Sequence, residues 1–73
     1  MRFNIVAKRT GKSTKTNKDY FCLVVYDTLC GCVVDCFVKE ELFDNFDLYD
    51  NVDNYVKFIY DRQVGFYTIR LFA

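Results

Sequence analysis

The chain has no histidine, no tryptophan and no proline, and only three glycines among its 73 residues. Without histidine it lacks the commonest general base and the usual partner that orients a serine or cysteine nucleophile. No GxGxxG occurs, and Gly11-Lys12-Ser13 lacks both the upstream glycine of a phosphate loop and a following helix. The apolar run Phe21 to Tyr26 is far too short to span a bilayer. Repeats, low-complexity tracts and linkers are also missing. These absences argue against an enzyme, a cofactor-binding protein and a membrane protein. They leave a non-enzymatic binding module with no cofactor and no metal. The missing tryptophan also leaves tyrosine fluorescence unmasked.

What is present is apolar and aromatic. Hydrophobic residues make up 52% of the chain, including eight phenylalanines and six tyrosines. One domain over residues 1–73 is expected, and a core of that size is marginal alone. Aromatics bury much area each and offset the small size. They also leave more apolar surface than one small core hides, so a homodimer is expected.

Ten basic and ten acidic residues give zero formal charge, but they are segregated. Residues 1–18 carry Arg2, Lys8, Arg9, Lys12, Lys15 and Lys18 and no acid. Residues 40–53 carry Glu40, Glu41, Asp44, Asp47, Asp50 and Asp53 and no base. Such asymmetry speaks to partners rather than to fold.

The four cysteines, Cys22, Cys30, Cys32 and Cys36, lie in apolar, strand-like stretches where free cysteine packs as a small hydrophobe. The N-terminus has the pattern of a strand rather than of a signal peptide. Reduced structural thiols and a cytoplasmic location are the expectation, with a virally encoded protein in the host cytoplasm included. A thiolate metal site from Cys30, Cys32 and Cys36 would need Cys22 from across a hairpin, and core packing is the simpler reading.

Phe3, Ile5 and Ala7 alternate with Arg2, Asn4, Val6 and Lys8, the period of a half-buried strand. Residues 9–18 contain no apolar side chain and are expected as a loop or the tip of a long, bent hairpin. Tyr20 to Tyr26 is a strand with Phe21, Leu23 and Val25 on one face and Tyr20, Cys22, Val24 and Tyr26 on the other. Residues 27–31 form a turn and Cys32 to Val38 the return strand. Lys39 to Phe46 is the one helical candidate, with Val38, Leu42 and Phe46 on one face and two acids in its first turn. Residues 47–53 are an acidic loop. Asn54 to Asp61 and Phe66 to Phe72 are strands joined by a turn at 62–65. Five strands with a short helix between the third and fourth predict a mostly β, five-stranded OB-fold-like barrel. An SH3-like barrel and a small open sheet crossed by one helix are the alternatives.

The basic stretch bears on function. Cations on a small-residue backbone neutralise phosphates without demanding a fixed register. The strand that follows places Tyr20 and Tyr26 on the face opposite the core-facing Leu23 and Val25. Exposed aromatics beside a cationic groove suit single-stranded nucleic acid, whose bases stack on the rings. In an OB-like barrel the turn carrying Arg62 would flank the same face. The expected contacts are therefore Lys8, Arg9, Lys12, Lys15, Lys18, Tyr20, Tyr26 and Arg62. The alternative function is a small protein-binding inhibitor of phage type. There Glu40 to Asp53 would imitate a phosphate run and engage a basic protein partner.

The stretch Lys8 to Tyr26, with its pattern G-K-x-x-K-T-x-K-x-Y from Gly11 to Tyr20, resembles the small single-stranded DNA-binding proteins of filamentous phages and related replicons. That resemblance implies a five-stranded OB-fold, a homodimer, and cooperative, sequence-independent coating of single strands during replication. It also implies backbone contacts from Arg9, Lys12, Lys15 and Lys18 and stacking by Tyr20. The acidic stretch and the zero net charge lie outside the family pattern.

Overall fold

A computed structural model describes residues 1–72. Five strands, one short helix and one 3-10 turn follow in chain order. They are β1 (Phe3–Lys12), β2 (Asp19–Asp27), β3 (Cys32–Val38), α1 (Glu40–Asn45), the 3-10 turn Asp53–Tyr55, β4 (Val56–Asp61) and β5 (Phe66–Leu71). The mostly β character and the element order agree with the sequence reading. β1–β2–β3 is an antiparallel meander and β4–β5 a separate hairpin.

The two faces of β2 divide as its alternation requires. Leu23 and Val25 are fully buried, and around them pack Phe3, Ile5, Cys36, Phe46, Val52, Ile69 and Leu71. This is the core face of the meander. Tyr20, Cys22, Val24 and Tyr26 point to the outer face. Phe21, half-buried at the edge of the core, meets Phe43 of α1 at 5.3 Å between ring centroids. α1 is only 6 residues long and its N-cap residue Lys39 makes no capping side-chain bond. Packing of Leu42 and Phe43 against the core holds it in place; a helix this short is not stable on propensity alone.

β1 departs from simple alternation. Its pairing with β2 shifts register between Ile5 and Ala7, a β-bulge at Val6. Two β1 residues there face one on β2, so every later side chain changes face. Phe3 and Ile5 point into the core as expected. Beyond the bulge, Ala7 pairs with Val24 on the outer face and Lys8 with Leu23 on the core face. β1 also runs further than a loop reading of residues 9–18 allows. Arg9 to Lys12 pair in ladder with Cys22 to Asp19, so the long-hairpin form of that expectation holds. Only residues 13–18 form the tip, where the Ser13 amide bonds the Lys18 carbonyl at 2.9 Å and Asn17 takes a left-handed φ of 56°.

Among the described residues the five strands lie in two sheets, with no ladder joining the meander to the β4–β5 hairpin. The outer edge of β1 is bonded by the segment that precedes β4. The Ile5 amide donates to the Asp50 carbonyl at 3.0 Å, the Tyr49 amide to Ile5 at 2.7 Å and the Val52 amide to Phe3 at 2.9 Å. The stretch 47–53 is thus less a free loop than an added edge. At the other side β5 approaches β3 without a shared ladder. A cavity of about 610 Å³ lies beside the two strands, lined by Val38, Leu42, Leu71 and Phe72 among others.

The cysteines split into two classes. Cys22 and Cys36 are buried and free, as expected of packed thiols. Cys30 and Cys32 are joined to each other, a correction to the expectation of four reduced thiols. Their Cα atoms are 5.6 Å apart because the turn folds the chain back between them.

Candidate functional site

On the outer face of the meander, where the β1–β2 hairpin meets β3, lies a cleft of about 520 Å³. Arg9, Lys12, Ser13, Thr14, Lys15, Tyr20, Cys22, Asp35 and Phe37 line it. Its composition follows from register. Arg9 pairs with Cys22 and Gly11 with Tyr20 on one side, and Cys22 pairs with Phe37 on the other. Cross-strand partners point to the same side of a sheet, so these side chains share the outer face.

Tyr20 and Phe37 make the aromatic element. Their centroids are 6.1 Å apart in an edge-to-face arrangement, the geometry that ring quadrupoles favour. Tyr20 is 38% and Phe37 61% exposed, so both rings remain accessible. Tyr20 lies across the backbone of Gly11: a Cβ there would come within 2.8 Å of the tyrosine hydroxyl and 2.9 Å of its ring. The missing side chain at Gly11 gives the ring its seat, an aromatic laid over a strand glycine.

The electrostatics are cationic with one acid among them. Lys12 and Lys15 are exposed. Arg9 approaches Asp35 at 3.7 Å, and both side chains remain about half exposed. A pair so open to solvent is a weak one. Cys22 forms the floor. Burial pushes its thiol above the ordinary value and Asp35 pushes it further, so it stays protonated at neutral pH. The cleft can hold an anionic, flat-ringed chain through three cations and two rings.

Of the residues expected from the sequence, Arg9, Lys12, Lys15 and Tyr20 come together here. Lys18, at the base of the hairpin tip, is exposed but does not line the cleft. Lys8 is turned away by the Val6 bulge: its Nζ donates to the Phe46 carbonyl at 2.6 Å and sits 4.4 Å from the centroid of the Phe43 ring. Tyr26 shares the face of Tyr20 but lies six residues along β2, about 20 Å away, near Gly31. Arg62 is exposed on the β4–β5 turn and does not line the cleft. Phe37 and Asp35 were missed. The hairpin register would have revealed them, since pairing Asp27 with Cys32 places Phe37 opposite Cys22.

The acidic stretch lies elsewhere. α1, with Glu40, Glu41 and Asp44, packs on the core side of the sheet, opposite the cleft. Asp53 accepts the Phe3 amide at 2.6 Å and the Arg2 amide at 3.0 Å, and Asp50 accepts the Asp47 amide at 2.8 Å. Two of the six acids are thus committed to backbone amides.

No family model, curated protein or solved structure matches this chain. Among the described residues no group of three or more potential metal ligands converges, and no helix is long and apolar enough to cross a membrane.

Proposed function

We propose that this domain binds single-stranded nucleic acid, DNA above all, in the cleft between the β1–β2 hairpin and β3, and performs no chemistry on it. One observation carries the reading: Arg9, Lys12 and Lys15 line the same cleft as the exposed Tyr20–Phe37 pair. Lysines on a turn follow phosphates with little demand for geometry. Two accessible rings take bases by stacking, roughly 1–3 kcal/mol for each base stacked. A duplex hides its base faces, so single strands are favoured. With no array of donors aimed at base edges, sequence preference is weak. Lys18 flanks the path of the strand, and Arg62, on the turn of the second hairpin, stands outside it.

Strand order, with α1 between β3 and β4, fits an opened form of the OB-like arrangement. The likeness of Lys8 to Tyr26 to the phage single-strand-binding proteins extends the reading to coating of replicating DNA in a host cytoplasm. The reading includes a homodimer. The β4–β5 hairpin projects Phe58, Ile59, Tyr60, Val64, Phe66 and Tyr67, each between 42% and 66% exposed. Phe58, Tyr60 and Tyr67 share one face of the hairpin and Ile59 and Phe66 the other, and at about 200 Å² for each aromatic the three-ring face exposes roughly 340 Å² on one copy. Two copies meeting on that face would bury about 700 Å², an area that suits a weak, concentration-dependent dimer.

The test is tyrosine fluorescence during titration with unlabelled oligothymidylate, with duplex DNA as control. Stacking quenches the emission. Three neutralised phosphates give a slope of log affinity against log salt near −2, from about −0.7 each. Between about 50 and about 300 mM salt the affinity then falls about 40-fold. Absence of both quenching and salt-sensitive association would discard the reading.

A further inference from the structure

We propose that Cys30 and Cys32 form a thiol–disulfide exchange site for low-molecular-weight monothiols at the β2–β3 turn. Both cysteines are exposed, whereas Cys22 and Cys36 are buried. The pair encloses only Gly31. A cross-link over so short a loop removes little freedom from the unfolded chain, so holding the fold together does not account for it.

The turn is already fixed by other bonds. The Gly31 amide donates to the Asp27 carbonyl at 2.8 Å and the Leu29 amide to Asp27 Oδ1 at 3.0 Å. Asp27 is itself gripped by Arg2, whose Nε and Nη2 donate at 2.9 and 3.0 Å. The Thr28 amide donates to the Arg2 carbonyl at 2.9 Å. Gly31, with a φ of 70°, takes the left-handed conformation that glycine adopts without steric cost. None of these bonds passes through sulfur. When the disulfide opens, the turn keeps the two thiols adjacent, and proximity favours closing it again.

The chemistry is a two-step exchange. The thiolate of a first glutathione attacks one exposed sulfur of the pair. The S–S bond breaks, and its electron pair leaves on the other cysteine, which takes up a proton. A second glutathione thiolate attacks the glutathione sulfur of the mixed disulfide and releases the first cysteine as a thiol. Two glutathiones are oxidised to their disulfide, and the protein disulfide is reduced to a dithiol. With excess oxidised glutathione the same steps run backwards.

The buried cysteines take no part. Burial pushes the Cys36 thiol up to about 11 and raises that of Cys22 as well, so neither supplies much thiolate. The site lies at the other end of β2 from Tyr20 and Lys12, and the cleft residue nearest to it along β3, Asp35, is three residues from Cys32, about 10 Å at 3.3 Å per residue. It uses none of the cleft residues, and the two readings stand or fall separately.

The folded protein is equilibrated in buffers of varied reduced-to-oxidised glutathione ratio, quenched in acid, alkylated and mapped by peptide mass spectrometry. Cys30 and Cys32 are expected to become alkylated together in a single two-electron transition, with Cys22 and Cys36 unlabelled throughout. The Cys32→Ser variant is expected to carry one glutathione on Cys30 at the oxidised end. Two results would overturn the proposal: alkylation of Cys30 and Cys32 at every ratio including excess oxidised glutathione, or opening of the pair only under denaturant that also exposes Cys22 and Cys36.

Discussion

Replacing Tyr20 with alanine probes the cleft most directly. The ring rests on Gly11 and against Phe37, and it is the aromatic that adjoins the cationic hairpin tip. Loss of one stacked base costs about 1–3 kcal/mol, a fall in affinity of about 5- to 150-fold. The same change removes an aromatic pair worth about 0.5–1.5 kcal/mol to the fold. A domain of 73 residues has roughly 4–11 kcal/mol of stability in all, so the variant stays folded, which its circular dichroism and melting curve will verify. Because the substitution removes the quenched fluorophore, affinity is best read from the anisotropy of dye-labelled oligothymidylate at low salt. Stacking involves no counterion, so the salt slope should stay as it was. Lys12→Ala or Lys15→Ala should instead flatten the slope by about 0.7 each. Tyr20→Phe keeps the ring, and the hydroxyl makes no bond to another described residue, so that variant should bind nearly as the parent does. A folded Tyr20→Ala protein that binds within twofold of the parent would refute the stacking role and with it the place of Tyr20 in the interface.

Three further outcomes are expected. Asp35→Asn removes the one acid in the cleft and frees Arg9, so binding should tighten up to about fivefold at low salt, from up to about 1 kcal/mol for an exposed charge pair. The gain should fade as salt screens it, as paired titrations at low and high salt will show. Melting temperature should hold steady from neutral pH down to about pH 5 and drop below about pH 4. The Arg2 guanidinium holds the Asp27 carboxyl below its ordinary 3.8, and the Phe3 and Arg2 amides do the same for Asp53. Both groups take up protons less readily folded than unfolded, so their stabilisation is complete above the ordinary value and is lost as pH falls through the lowered one. Asp53→Asn should make that drop shallower. Finally, Tyr60→Ser with Tyr67→Ser on the projecting hairpin should shift the protein from dimer to monomer in sedimentation without loss of oligothymidylate contacts within one chain. A parent protein that sediments as a monomer at high concentration would remove the homodimer from the reading.

Local pattern determined much of this protein. Alternation along Tyr20 to Tyr26 set which side chains of β2 enter the core. The charge and turn residues at 27–31 marked the second hairpin, and the boundaries Cys32 to Val38 followed. Spacing of Val38, Leu42 and Phe46, with Glu40 and Glu41 in the first turn, located α1. These features depend on neighbours within a few residues, and a sequence displays them directly. Tertiary structure decided what depends on distant partners. The bulge at Val6 turns Lys8 toward Phe43 and Phe46, although its own sequence neighbourhood reads as unbroken alternation. Phe37 joins Tyr20 only because the β2–β3 register sets it opposite Cys22. Tyr20 and Tyr26 share a face by periodicity, yet the length of the strand keeps them apart. Closure into a barrel was likewise not a local matter: the segment around Asp50 takes the edge of β1, and β5 lies beside β3 without a ladder. The cysteines show the same division. Burial of Cys22 and Cys36 was written into apolar strands, while the union of Cys30 and Cys32 needed the turn that brings their Cα atoms within 5.6 Å. Alternation specifies a face, but only long-range hydrogen bonding and packing specify which faces and edges meet.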